Sequence, residues 1–251
     1  MTLKKAKTVV QTPNIIEVRD VVANYDGDDV ISDINISVKQ GEALGLIGLN
    51  GAGKTTIIKI LLGLLEPRAG HVLLDGQSNA SIATKNKIAY LPEKFEPPAF
   101  LNGLEFIRFA LSLYNKTCND ARAFDAAKRF VLDPEALKHR VNTYSKGMRQ
   151  KLGLISTFLT DCPIMILDEP MSGLDPKART CVKDEILKYK KSGGSLFICS
   201  HILSDMEEIC DRVNILHDGK LCFVGTPATL KTQTKQDYLE RAFLKLIDKV
   251  K

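Results

Sequence analysis

The chain contains a glycine-rich segment that matches the phosphate-binding pattern G-x-x-x-x-G-K-[ST]. This segment, called the phosphate loop below, is Gly48-Leu49-Asn50-Gly51-Ala52-Gly53-Lys54-Thr55-Thr56. The mostly apolar segment 42–47 before it predicts a buried strand, and the mostly apolar segment 57–65 after it predicts a helix that stops near Pro67. An ordinary glycine turn before a helix is the alternative. The strand–turn–helix context and the Lys-Thr pair favour a site for a nucleotide phosphate.

The phosphate loop has the groups that such a site needs. Glycines allow successive backbone N–H groups to point into one concavity, and the start of a helix adds a partial positive charge. Lys54 can reach the outer phosphates, and the Thr55 hydroxyl can ligate Mg²⁺. The candidate binding residues in this segment are Asn50, Gly51, Ala52, Gly53, Lys54, Thr55 and Thr56.

Composition narrows the classes of protein further. With 251 residues, 44% of them hydrophobic, the chain can form one large domain or two lobes around a real core. The net charge of +5 favours an ordinary solvated surface over a nucleic-acid partner. Six cysteines without a C-x-x-C pair indicate reduced, structural thiols. Without a signal peptide or an apolar run of span length, we expect a chain that is soluble by itself, any membrane spans being supplied by a partner.

The order of apolar patterns predicts one α/β domain with a helical insertion. Residues 1–13 are expected to be a flexible tail, and β-rich segments flank the phosphate loop. Apolar residues at helical spacing predict helices over residues 102–158. Strand patterns then alternate with helical ones, as in a parallel sheet, and these strands are residues 164–167, 195–199 and 213–216.

Two carboxylates follow the first of these later strands. Four apolar residues, 164–167, lead into Asp168-Glu169-Pro170, so the acidic pair ends a strand that is buried on both faces. Asp168 suits outer coordination of a Mg²⁺ held by Thr55, and Glu169 can polarise an attacking water. A strand that runs out into an acidic turn is the alternative. The distance of more than a hundred residues from the phosphate loop favours the functional interpretation.

At this point the chain resembles the ATP-binding-cassette (ABC) ATPases, the motor subunits of ABC transporters, from about residue 14 to residue 230. Residues 143–152 resemble the family's signature segment, and residues 172–175 resemble its D-loop. Ser200-His201, after a strand, resembles the switch-histidine position. Tyr25 stands where the family stacks an aromatic ring on adenine.

The resemblance assigns roles that the residues alone leave open. Ser145 and Gly147 begin a helix, where a hydroxyl and backbone N–H groups form an anion site; by itself Ser145 could be a simple N-cap. The resemblance implies that they serve the γ-phosphate of ATP bound to a second subunit, in a head-to-tail dimer. It also implies that Asp175, otherwise a turn former, communicates across the dimer. His201, otherwise a structural histidine, would contact the γ-phosphate and orient water with Glu169.

Two departures from the commonest family pattern resemble the exporter branch called ABC-2 type. Tyr144-Ser145-Lys146-Gly147-Met148 replaces L-S-G-G-Q, and Glu93 stands at a position that is usually glutamine. Glu93 can still ligate Mg²⁺ through oxygen, although it adds negative charge near the phosphates. For residues 95–101 the resemblance implies a position beside a groove that receives a helix of the membrane subunit, and a buried loop is the alternative. Residues 238–247 predict a short amphipathic helix that packs back on the domain.

The expected fold is a phosphate-loop NTPase core with a mostly parallel sheet and flanking helices. An N-terminal antiparallel β subdomain and a helical subdomain at about 94–160 complete an ATPase domain over 14–230, and 231–251 form a C-terminal helix. The expected function is the ATP- and Mg²⁺-dependent motor of an ABC-2 type exporter, with Lys54, Glu169 and His201 as catalytic residues. Its expected partners are an integral-membrane permease and a second ATPase copy, at the cytoplasmic face of the membrane. The alternatives are an importer ATPase, a soluble ABC ATPase of repair or translation, and a regulatory cassette without catalysis.

Overall fold

The computed structural model describes residues 13–25, 27 and 29–250. Of the predicted tail at residues 1–13, all but Pro13 lies outside these described residues. The strands are β1 Asn14–Asn24, β2 Asp29–Lys39, β3 Ala43–Gly48, β4 Ala69–Leu74, β5 Gln77–Ser78, β6 Ile88–Leu91, β7 Ile164–Asp168, β8 Ser195–Cys199, β9 Arg212–His217 and β10 Lys220–Gly225. The helices are α1 Lys54–Leu61, α2 Ile82–Lys85, α3 Gly103–Ser112, α4 Asp120–Arg129, α5 Lys146–Leu159, α6 Pro176–Lys191, α7 Leu203–Ile209, α8 Pro227–Thr234 and α9 Leu239–Val250.

The strands form two sheets. Four of them make an antiparallel sheet in the order β2-β1-β4-β5, and six make a second sheet in the order β10-β9-β3-β8-β7-β6. Of the described strands in the second sheet, only β10 is antiparallel to its neighbour. Because its parallel strands point the same way, their carboxyl ends share one edge. The predicted fold class, an α/β core with an antiparallel β subdomain and a helical insertion, is confirmed.

Side chains on the two faces of the parallel sheet enter two different cores. On β3, Leu44 and Leu46 face the antiparallel sheet, whereas Ala43 and Ile47 face the helices. This alternation follows from the two-residue period of a strand. The sheet is therefore buried on both faces, which explains why its strands are continuous apolar runs in the sequence.

The helix after the phosphate loop ends earlier than its apolar pattern predicts. α1 stops at Leu61, although the apolar residues continue to Leu65. Gly63 has a φ of 66°, and Leu64 N–H donates to the carbonyl of Lys59 at 2.8 Å. A glycine in the left-handed conformation just past the last turn ends a helix in this way.

The C-terminal helix packs on the domain through one face. Leu239, Ala242, Phe243 and Ile247 of α9 are buried, whereas Leu244 is exposed. The helix contacts α7 and α8. Within the described part of the chain, no helix combines the length and the apolar character that a membrane crossing requires.

Candidate active site

A cleft of about 620 Å³ lies at the carboxyl ends of the parallel strands, where the phosphate loop follows β3. It gathers most of the residues that the sequence predicts for a nucleotide site. The predicted residues that line it are Tyr25, Asn50, Gly51, Gly53, Lys54, Thr55, Thr56, Glu93, Asp168, Glu169 and His201. Of the predicted loop residues, Ala52 is buried and lies behind this lining.

The phosphate loop is held tightly by its neighbours. Gly53, at the N-cap of α1, has a φ of 109°, and an added methyl group would lie 2.5 Å from Cγ2 of Ile31. Among the residues that the structure describes, no side chain caps α1, and the first turn of α1 has no acidic residue. The Nζ of Lys54 donates to the carbonyls of Gly48 and Leu49, at 2.7 and 3.0 Å. An uncapped helix start, glycines and a lysine make a donor set that fits phosphate oxygens.

The two carboxylates at the end of β7 lie in contrasting surroundings. The side chain of Asp168 is buried, and its pKa is raised to about 6. Burial is the largest cause, and the nearby Glu93 and Glu169 carboxylates add to it, whereas Lys54 opposes it. A buried carboxylate whose negative charge is only partly balanced by nearby positive charges is typical of a cation-binding site.

Glu169 is positioned by the loop that follows β8. Its Oε2 accepts a hydrogen bond from Ser200 Oγ at 3.0 Å, and its Oε1 accepts one from the backbone N–H of His201 at 2.9 Å. The imidazole Nδ1 of His201 also lies 2.8 Å from Oε1. Glu169 itself has a φ of 49°, a left-handed conformation that is uncommon for a residue with a side chain. Its backbone N–H donates to the carbonyl of Cys199 at 2.9 Å, which anchors this conformation to β8.

An aromatic side chain lies at the mouth of the cleft. Tyr25 is 46% exposed, and the Nζ of Lys59 lies 5.3 Å from the centre of its ring. Lys59 follows Thr55 by one turn of α1, so both residues face the cleft. A half-exposed ring beside a phosphate loop can stack on a planar base.

The other three predicted site residues lie outside this cleft. Ser145 is exposed and caps α5, its Oγ accepting from the backbone N–H of Met148 at 3.2 Å. Gly147 lies in the first turn of the same helix. Asp175 caps α6 by accepting from the backbone N–H of Ala178 at 2.9 Å, and this bond is the main cause that lowers its pKa. The structure does not bring these residues to the phosphate loop of the same chain.

The helix that carries Ser145 is nevertheless joined to the carboxylate strand. Gln150 of α5 is buried, and its Nε2 donates to the carbonyl of Pro170 at 3.0 Å. A methyl group on Gly147 would lie 3.1 Å from the carbonyl oxygen of Gly173. The start of α5 thus lies directly against the segment that follows Glu169.

The oxygen donors in the cleft suit a hard cation that is shared with a phosphate. Thr55, Glu93 and Asp168 all line it. Among the described residues, no three His, Cys, Asp or Glu side chains are grouped so that they could hold a metal ion alone. Mg²⁺ commonly takes one or two protein oxygens and completes its coordination with phosphates and water, so the two findings agree.

Sequence reasoning missed several residues of this cleft. Lys59, Leu203 and Phe243 line it, as do Val30, Ile47 and Leu49. Helical spacing from Thr55 is a signal that could have indicated Lys59. Phe243 lies almost two hundred residues after the phosphate loop and reaches the cleft only through the packing of α9, so no local pattern marks it.

Comparisons with known proteins agree with this geometry. The family profile described as ABC transporter matches residues 31–172, more than half of the chain. An uncharacterised ABC transporter ATP-binding protein of Nostoc sp. is 37% identical over 231 residues, which are 87% of this chain and 68% of that protein. The ABC-type transporter ATP-binding protein EcsA of Bacillus subtilis is 32% identical over 93% of this chain and 96% of its own length.

A solved structure of an ATP-binding subunit of an ABC transporter has the same fold. It is 32% identical, has a TM-score of 0.86, and the alignment covers 93% of this chain and 99% of that one. The phosphate loop, the carboxylates that end β7 and the histidine that follows β8 therefore occur in the architecture for which the sequence predicts them. The chain belongs to the ABC transporter family, and it is an ATP-binding ATPase cassette of that family.

Proposed function

We propose that the chain is the motor of an ABC-2 type exporter, in which two copies close head to tail on two ATP molecules. One observation supports the proposed dimer. Lys54, Glu169 and His201 line one cleft, whereas Ser145 and Gly147 lie outside it. If Ser145 and Gly147 bind a phosphate, that phosphate belongs to ATP on another copy. The exporter assignment is supported by the resemblance of residues 144–148 and 90–93 to the ABC-2 branch.

In the proposed reaction Glu169 accepts a proton from the water that attacks the γ-phosphate. The hydrogen bonds from Ser200 and from the His201 backbone fix the direction of its carboxylate. Lys54 and the N–H groups at the start of α1 stabilise the charge on the phosphate oxygens, and Ser145 and Gly147 of the second copy do so from the other side. Tyr25 stacks on the adenine.

We propose that Thr55, Asp168 and Glu93 hold Mg²⁺ together with the ATP phosphates. When bound, the metal ion would supply positive charge that offsets the negative charge of the phosphates. The burial of Asp168 and its raised pKa support this placement, because a cation would offset the cost of its ionised form.

We further propose that a permease docks beside residues 95–101, and that the protein works on the cytoplasmic face of its membrane. Phe100 is 73% exposed, and a groove of about 270 Å³ lies between this segment and residues 141–149, which include the start of α5. The groove is lined by Glu96, Pro97, Ala99, Val141, Asn142 and Arg149. We retain residues 14–230 as the ATPase domain, 94–160 as its helical subdomain and 231–251 as the C-terminal element.

The variant Glu169→Gln tests the proposed chemistry. It should bind ATP as the wild type does, lose about 10²- to 10⁴-fold in kcat, and accumulate as a dimer when ATP is present. ATP binding by calorimetry, phosphate release and sedimentation measure the three effects. Normal hydrolysis by this variant would falsify the role of Glu169.

A separate experiment tests the partner. The protein should co-purify from detergent-solubilised membranes with a multi-span membrane protein, and Phe100→Asp should release that protein without changing ATP affinity. Purification of the ATPase alone from membranes would count against a permease at this surface. Equal release of the membrane protein by the control Ile82→Asp, at another exposed residue, would count against it as well.

A further inference from the structure

A buried carboxylate joins the helix that follows Asp175 to the helix that follows His201. Asp205 of α7 is only 3% exposed. Its Oδ2 accepts a hydrogen bond from Nη2 of Arg179 on α6 at 2.5 Å, and its Oδ1 lies 3.6 Å from Nζ of Lys183. An ionised carboxylate taken out of water needs such partners, because it is otherwise strongly destabilising.

This ion pair lies at the beginning of both helices. α6 starts at Pro176, and the backbone N–H of Arg179 donates to the carbonyl of Asp175 at 2.9 Å. α7 starts at Leu203, two residues after His201, and Asp205 is in its first turn. The ion pair therefore joins the loop that carries Asp175 to the loop that carries His201.

The other side of α7 lies directly against the strand that leads into the phosphate loop. A methyl group on Gly45 of β3 would lie 2.6 Å from Cε of Met206 and 3.0 Å from Sγ of Cys210. Met206 thus occupies the space that a side chain at position 45 would fill, so α7 packs closely against β3. The position of α7 is thus set by β3 on one side and by Arg179 on the other.

We propose that Asp205 is a positioning residue: with Arg179, it holds His201, and through His201 the carboxylate of Glu169, in register with the loop of Asp175. This inference rests on the proposed function, in which two copies close head to tail and Glu169 activates water, and on the role across the dimer that the resemblance implies for Asp175. Displacement of Asp175 by that copy is carried by the first turn of α6 to Arg179, and from Arg179 to α7. Each active site thereby responds to the arrival of the partner.

The chain contains a matched control for this inference. Glu185 is also on α6, its side chain is 4% exposed like that of Asp205, and its Oε2 lies 2.5 Å from Nη1 of Arg129. Lys188 provides its second cation at 2.7 Å. This ion pair joins α6 to α4 and does not touch α7. Loss of either carboxylate should destabilise the fold comparably, but only loss of Asp205 should disturb His201.

The experiment compares Asp205→Asn with Glu185→Gln in the full-length protein. Both variants should unfold at lower urea concentrations than the wild type. Asp205→Asn should lose about tenfold or more in kcat while its ATP dissociation constant stays within about twofold, the pattern expected when an interaction is needed only in the transition state. Glu185→Gln should keep a kcat within about twofold of the wild type at a temperature equally far below its own unfolding midpoint.

Arg179→Lys provides a second variant if Asp205→Asn does not fold. It keeps the charge but not the geometry of the guanidinium, at a residue that is partly exposed, so it should fold and still lose kcat. In the double variant that combines Arg179→Lys with Asp205→Asn, the loss of kcat should be no greater than the larger of the two single-variant losses. This result is expected because the two residues act as one unit.

Failure of the proposed function and failure of this inference alone would give different experimental results. A wild type without ATP hydrolysis overturns the proposed function and this inference with it. Equal kcat losses in Asp205→Asn and Glu185→Gln, or an unchanged kcat in both Asp205→Asn and Arg179→Lys, overturn the inference alone while the wild type remains an ATPase.

Discussion

The imidazole Nδ1 of His201 and the carboxylate Oε1 of Glu169 lie 2.8 Å apart, and the backbone N–H of His201 donates to the same oxygen. The ring of His201 remains largely exposed to the cleft, with 64% of its side-chain surface accessible. One loop thus fixes the direction of the carboxylate and presents the imidazole to whatever occupies the cleft.

Ser200→Ala should lower kcat by about tenfold, because a hydrogen bond to a charged group contributes about 1.5–3 kcal/mol and this one orients the Glu169 carboxylate. The ATP dissociation constant should stay near that of the wild type. Phosphate release and calorimetry measure the two quantities. Ser192→Ala is the control, since Ser192 is an exposed serine at the end of α6. A kcat as high in Ser200→Ala as in this control would remove Ser200 from the mechanism.

Gly147→Ala should have two opposing effects on the stability of the protein. Helix propensity alone should stabilise α5 by about 1 kcal/mol. The new methyl group, however, would lie 3.1 Å from the carbonyl oxygen of Gly173, so the segment after Glu169 must shift. We expect a free energy of unfolding within about 1 kcal/mol of the wild type, a kcat at least about tenfold lower, and weaker ATP-driven dimerisation. Urea titration, phosphate release and sedimentation test these outcomes, and an unimpaired kcat would show that the contact tolerates the methyl group.

Phe243→Ala should destabilise the protein by about 3–5 kcal/mol, since Phe243 is 5% exposed and its loss leaves a cavity beside the cleft. Leu244→Ala, at the next position of α9, should change stability by less than about 0.5 kcal/mol because Leu244 is 52% exposed. Chemical denaturation measures both. Equal losses in the two variants would contradict the packing of α9 against the cleft.

The cysteines should be free thiols with very different reactivities. All six are unpaired, and burial raises the pKa values of Cys199 and Cys210 most strongly. At pH 8 these two thiols should react with iodoacetamide far more slowly in the native protein than in guanidinium chloride, because the thiolate is the reactive form. Peptide mapping by mass spectrometry follows each site. Rapid native labelling of Cys199 would show that β8 opens readily.

Much of the site could be predicted because its parts are local. The phosphate loop requires a strand, a glycine turn and a helix in succession, and β3 and α1 appear on both sides of it as the apolar runs indicate. The strand β7 was recognisable because four apolar residues lead directly into Asp168. Such patterns are dictated by residues within a few positions of each other.

The remaining features depend on contacts between distant segments. Arg179 and Asp205 are 26 residues apart, and nothing near either residue in the sequence indicates that they meet in a buried pair. Phe243 reaches the cleft only because α9 packs on the domain, and the residues near it in the sequence do not indicate this contact either. The early end of α1 was missed because the apolar pattern continues past Gly63, whose backbone conformation decides where the helix stops.

The exposed position of Ser145, away from the cleft of its own chain, has a consequence for the cell. Under the proposed pairing, a solitary copy binds ATP but lacks the Ser145 and Gly147 groups that a second copy supplies for hydrolysis. Specific activity should then rise with protein concentration, and surplus copies should remain idle. The abundance and location of the membrane partner, which brings two copies together, would decide where and how fast ATP is hydrolysed.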